Sequence, residues 1–179
     1  ISASLLLVIG FVYLIDNVYP YGQFTPFQVI VPTTTSLAAQ VLNSMGYITQ
    51  ISQVHDPSGG WLPYLFAVLR SDPTKHAVFA IGWPCAGVES LLVYSITILL
   101  FIKKSTMPLW QKITYFTIGA VVTYVINILR IVTIFVIGAQ YGEASSQVWQ
   151  FHDYYGQLYS MTWIISYPLI VIGSRALWS

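Results

Sequence analysis

The sequence predicts an all-α integral membrane helical bundle of about four spans, with a small extracytoplasmic helix/β-hairpin insertion between the first two. Three observations lead there. Only 7% of the 179 residues are charged and 56% are hydrophobic, whereas soluble domains carry about 25% charged residues. Several apolar runs approach the roughly 20 residues that a bilayer-spanning helix needs. Pro20, Pro26, Pro32, Pro57, Pro63, Pro73 and Pro84 all fall in one stretch, 16–84, which marks it as something other than a span.

The elements follow in order. Residues 1–15 read as a first span, closed by Asp16 and Asn17. That run is short for a crossing, so further chain is expected upstream. Within 16–84, Thr33, Thr34, Thr35 and Ser36 are good helix caps, and Leu37, Val41, Leu42 and Met45 recur at helical spacing before Gly46. A helix over 36–45 is expected, lying at the interface. Segments 47–54 and 77–83 read as short strands from their β-branched and aromatic content. His55, Asp56, Pro57, Ser58, Gly59 and Gly60 read as a loop, and periodicity leaves 61–69 unassigned. A second span is expected over 86–102, a third over 113–139 and a fourth over 155–177. One membrane domain accounts for 1–179.

Charge orients the spans. Lys103, Lys104 and Lys112 share one short loop, which the positive-inside rule makes cytoplasmic, with Arg175 on the same side. The 16–84 insertion and the 138–153 loop are then outside. Cys85 stands eighteen residues before Lys103, and Arg130 eighteen after Lys112. At about 1.5 Å per residue each lies roughly 27 Å from the lysine end, against a hydrocarbon core about 30 Å thick. Cys85 and Arg130 therefore share the outer level, and His152 lies just before the fourth span at a similar height.

These three residues can carry chemistry. Cys85 is the only cysteine, so it forms no disulfide within the chain. Placed at the first turn of a helix, it would gain thiolate character from unpaired N–H groups and the helix dipole. Read blandly, it is a small packing residue. Arg130 inside an apolar span is costly and marks a functional site by default, although an ion pair with Glu89 would also explain it. Asn127 lies one turn before it, on a face continued by Thr123 and Gly119. Glu89, four residues after Cys85, is expected on the same helix face, in a supporting role. His152 is a general acid or base near neutral pH, with Asp153 beside it. It begins a stripe with Tyr155, Tyr159, Trp163 and Tyr167 that by itself reads as packing or an interfacial belt.

The same composition excludes other classes. A net charge of +1 with no basic cluster argues against nucleic-acid binding. No Gly-rich phosphate loop, GxSxG elbow or HExxH motif is present, and the spacing of His55, His76, Cys85 and His152 matches no zinc pattern. No cofactor and no metal are expected.

Three segments, CAGVES at 85–90, NILR at 127–130 and FHDYYG at 151–156, together resemble the exosortase/archaeosortase family of membrane cysteine transpeptidases. SLAAQVLNSMGY at 36–47 is also similar to a stretch of that family. The resemblance implies a nucleophilic Cys85, an Arg130 that stabilises the oxyanion or orients the thiolate, and His152 as third catalytic residue. Its implied substrate is the C-terminal sorting signal of secreted proteins, comprising a short motif, a transmembrane helix and a basic tail. Cleavage at the outer membrane face through a thioacyl intermediate would be followed by transfer to a lipid or other acceptor. An accessory, non-catalytic subunit of a larger membrane complex is the competing reading, drawn from the short length and the aromatic stripe.

Overall fold

The computed structural model describes residues 10, 14, 17–18, 26–55, 61–103 and 105–176. Apart from Gly10 and Leu14, the expected first span, 1–15, lies outside them, as do Asp16, the 56–60 loop and Lys104. A 3-10 turn, Pro26–Ile30, leads into α1, Val31–Ser44. Pro32 falls in the first turn of α1, where its missing N–H has no intrahelical partner to lose. The helix stops at Met45 and Gly46, the latter at φ +92°.

Three strands follow as an antiparallel meander in the order β1-β2-β3: β1 Tyr47–His55, β2 Trp61–Leu69 and β3 Asp72–Ala80. This sheet corrects the expected fold class. The chain is a mixed α and β protein, not an all-α four-span bundle with a hairpin. The unassigned segment 61–69 is the central strand, and the second expected strand begins at Asp72 instead of 77. β2 shows its period only in the fold: Pro63, Leu65 and Ala67 are buried in alternation with the less buried Tyr64, Phe66 and Val68.

Helix α2, Val88–Lys103, has 16 residues, and α3, Leu109–Tyr141, has 33. A short α4, Ser146–Gln150, runs through a π-helical turn, Phe151–Tyr155, into α5, Gly156–Ala176. Among the described residues only α3 is long and apolar enough to cross a membrane. α2 falls short of the roughly 20 residues required. The apolar run of α5 is interrupted by Ser160, Thr162, Ser166, several aromatic residues and Pro168. The spans expected over 86–102 and 155–177 are therefore helices that lack the length or the hydropathy of a crossing segment.

At roughly 1.5 Å per residue α3 measures about 50 Å, well beyond the hydrocarbon thickness. Its C-terminal part is packed against the sheet. Ile131, Val132, Phe135 and Ala139 share one buried core with Leu65 and Ala77 of the sheet and with Ala38 and Leu42 of α1. A second cluster joins α2, α3 and α5 through Tyr94, Ile98, Ile164, Tyr167 and Val171. Polar bonds cross it: Trp163 Nε1 donates to Thr123 Oγ1 at 3.1 Å, and Tyr94 donates to the Phe116 carbonyl at 2.8 Å. Such bonds matter where lipid removes the hydrophobic drive for helix association. The first cluster places the turn before α2 against the middle of α3, and the functional side chains meet there.

Candidate functional site

Cys85 does not sit on a helix. It occupies a turn over 83–87, and α2 begins only at Val88. The reason is Gly87, whose φ of +95° interrupts helical geometry. The turn is held from two helices. Asn127 of α3, fully buried, donates from Nδ2 to the Cys85 carbonyl at 3.0 Å. Thr34 of α1 has its hydroxyl 3.3 Å from the Ala86 carbonyl and 2.8 Å from the Tyr124 hydroxyl. An alanine Cβ at Gly87 would stand 2.8 Å from Asn127 Nδ2, so the turn and the asparagine fit only with glycine between them. Cys85 and Glu89 consequently do not share a helix face, and Glu89 is exposed in the first turn of α2.

His152 arrives from the other side, on the π-helical turn. Its Nε2 lies 3.6 Å from Cys85 Sγ, and its Nδ1 lies 2.7 Å from Asp153 Oδ1. A π-turn adds a residue to the helical repeat and re-aims the side chains it carries. The hydrogen bond to the Cys85 sulfur holds the imidazolium strongly, burial opposes it, and the Asp153 bond reinforces it, with Arg130 acting weakly against. The net effect pushes the His152 pKa from 6.5 up to about 9. With both nitrogens protonated, Nε2–H donates to sulfur and Nδ1–H to the carboxylate.

Arg130 supports that turn. Its Nη2 donates to the His152 carbonyl at 2.8 Å, and its Nε is buried with no hydrogen-bond partner among the described residues. Gly156 makes room for it, since a Cβ there would lie 2.6 Å from Nε and 2.8 Å from the Phe151 carbonyl. Cys85, His152 and Asp153 thus form one linked chain of groups, and Asn127 and Arg130 hold its two backbone anchors.

A cleft of about 450 Å³ opens on Cys85 and His152. Phe79, Ile81, Ile131 and Phe135 make its walls apolar, and Trp149 and Glu143 complete it. Sequence reading missed these residues. The signal for Trp149 was its position three residues before His152 in a helical stretch, where the rings now approach edge to face at 6.4 Å. Of the aromatic stripe, Tyr155 and Tyr159 are exposed while Tyr167 is buried. His55 and His76 are exposed and away from Cys85: His55 meets Trp61, and His76 bonds the Thr74 carbonyl. Among the described residues no group of histidine, cysteine and acidic side chains could hold a metal ion.

A family model described as transmembrane exosortase matches residues 2–167. No curated protein and no solved structure matches the chain.

Proposed function

The chain belongs to the transmembrane exosortase family, and from that premise we propose that it is a membrane cysteine transpeptidase acting on C-terminal sorting signals of secreted proteins. The observation that carries the reading is the Cys85–His152–Asp153 chain, linked at 3.6 and 2.7 Å at the mouth of an apolar cleft. A nucleophile within reach of a base that a third group orients is the recurring arrangement of covalent catalysis.

In the proposed cycle the Cys85 thiolate adds to the scissile carbonyl. The His152 imidazolium gives its Nε2 proton to the departing amine as the C–N bond breaks, leaving a thioester on Cys85. Neutral His152 then takes a proton from the attacking acceptor, a lipid or other nucleophile, and the thiolate leaves. Asp153 keeps the imidazole tautomer and orientation. Arg130 and Asn127 fix the backbone of the histidine and the cysteine. Glu89 is left a supporting part. Lys112 lies at the start of α3 and the site toward its other end, which under the positive-inside rule supports chemistry at the extracytoplasmic face.

Alkylation of Cys85 by iodoacetamide at pH 7 tests the activation step. His152→Ala is expected to slow it at least tenfold, because the Cys85 sulfur loses its partner Nε2 at 3.6 Å. Equal rates in the two proteins would refute a role for His152 in activating the thiol.

The pH dependence has a definite sign. His152 is held protonated up to about 9 instead of 6.5. The stabilisation it gives is complete below about 6.5 and lost as pH rises through about 9. Because the first step needs the imidazolium as acid, kcat/KM should fall on an alkaline limb near pH 9. Asp153→Asn, by weakening a bond that holds the proton, should move that limb to lower pH. A limb unmoved by this change would detach Asp153 from the mechanism.

A further inference from the structure

Beside the cleft runs the edge of β3, which among the described residues pairs with no further strand. Two hydrogen bonds fix which of its groups face outward. Ile81 N–H bonds inward to the Pro63 carbonyl at 3.0 Å. Val78 N–H points the other way and donates to the Glu143 carboxylate at 2.7 Å, across 65 residues of chain. In an antiparallel strand each residue directs its N–H and C=O to the same side, and the side alternates. Ala80 therefore turns its N–H and C=O outward with Val78. Ala80 is exposed, lines the cleft, and stands five residues before Cys85. An unpaired edge is a template for another extended chain. Here one edge amide is already capped by a side-chain oxygen, set where a peptide carbonyl of an added strand would lie.

We propose that the acyl-side segment of the substrate binds as an extended strand on the β3 edge, bonding Val78 and Ala80 in place of Glu143, with its scissile carbonyl delivered to Cys85. The inference rests on Cys85 being the nucleophile. Main-chain pairing supplies affinity in this mode, while alternate side chains enter pockets. The apolar walls formed by Phe79, Ile81 and Phe135 would take one such side chain. It is the acyl side that needs holding, because that half stays on the enzyme as a thioester after the amine has left. Glu143 acts as a placeholder that keeps the edge amide satisfied, and blocked to other strands, until substrate displaces it.

A pentapeptide aldehyde, acetyl-Val-Thr-Val-Thr-valinal, tests this on the full chain in detergent. The Cys85 sulfur adds to the aldehyde carbon, the carbonyl electron pair moves to oxygen, and that oxygen takes the His152 proton to give a neutral hemithioacetal. Protection of Cys85 from iodoacetamide reads the binding. Two further peptides carry N-methyl groups, one at its odd and one at its even positions. Strand addition predicts that one parity weakens protection at least tenfold while the other stays within threefold. It also predicts that Glu143→Ala strengthens protection by the unmethylated peptide at least threefold. Equal losses for both parities would overturn the strand, and so would no protection by any peptide while iodoacetamide still labels Cys85. Unchanged or weaker protection in Glu143→Ala would overturn the placeholder. Failure of iodoacetamide to label Cys85 in the folded protein would instead remove the nucleophile, and this inference with it.

Discussion

Cys85→Ala is expected to abolish processing of sorting-signal proteins in a cell that carries it, with the protein still inserted and folded. Removing the nucleophile of a linked catalytic chain costs roughly 10⁶-fold in turnover where it has been measured in a hydrolase. Nothing in the packing offsets or compounds that loss. The Cys85 side chain is half-buried and lines the cleft, while the turn it belongs to is held through backbone carbonyls, by Asn127 Nδ2 on Cys85 and the Thr34 hydroxyl on Ala86. The alanine variant keeps both of those carbonyls, so its melting in detergent should match the wild type. Cys85→Ser should be nearly as inactive, since a serine hydroxyl beside a histidine that is already protonated has no base to activate it. Accumulation of full-length substrate in both variants is the expected readout. Normal processing by Cys85→Ala would eliminate the transpeptidase reading and favour an accessory role in a larger complex.

The shared level of Cys85 and Arg130 was read from a ruler in the chain, and His152 was added from its place just before 155–177. Lys103 and Lys112 mark one end of two helices, and helical rise converts residue counts into depth, so two equal counts put Cys85 and Arg130 at one level. That argument needed no knowledge of the sheet. On the α2 side it holds only as far as Val88, because Cys85 lies in the turn before the helix and the last three of its eighteen steps are not helical. What the counts could not show is how the groups touch. Arg130 reaches the histidine backbone and not the sulfur, and the π-turn that aims His152 follows from no residue pattern in FHDYYG.

The sheet was only half legible for a different reason. WLPYLFAVL is apolar throughout and carries Pro63, a residue that argues against a central strand. The proline is tolerated because its carbonyl already bonds Ile81, just beyond the end of β3, so the missing N–H costs the ladder only its last rung. An unbroken apolar run of this length then does not distinguish a strand from a buried helix, whereas β-branched and aromatic content marked 47–54 and 77–83 as strands. The overcount of spans has the same root. Tyr167, Trp163 and Ser174 of α5 make hydrogen bonds to α3, and an apolar stretch that carries such side chains has the length of a crossing helix without its hydropathy.

Gly87→Ala is expected to do the most damage of any change that leaves the reacting groups in place. At φ +95° an alanine pays for a left-handed backbone, about 1–3 kcal/mol for a strained residue. Its Cβ would also meet Asn127 at 2.8 Å from Nδ2 and 2.9 Å from Cγ. Asn127 is fully buried in the middle of α3 and has nowhere to retreat. The turn must therefore move, and the Asn127–Cys85 bond stretches with it. Sulfur displaced by about 1 Å from His152 should lose on the order of 10²-fold in activity. Two measurements separate the causes. Thermal unfolding in detergent should show the strain, and iodoacetamide labelling of Cys85 at pH 7 should show the lost alignment. In Gly87→Ala/Asn127→Ala the collision with the amide is gone while the φ strain remains, so part of the stability should return. Labelling should not recover, because the Cys85 carbonyl then lacks its donor. Wild-type melting and labelling in Gly87→Ala would mean that the turn before α2 is not the rigid mount this geometry describes.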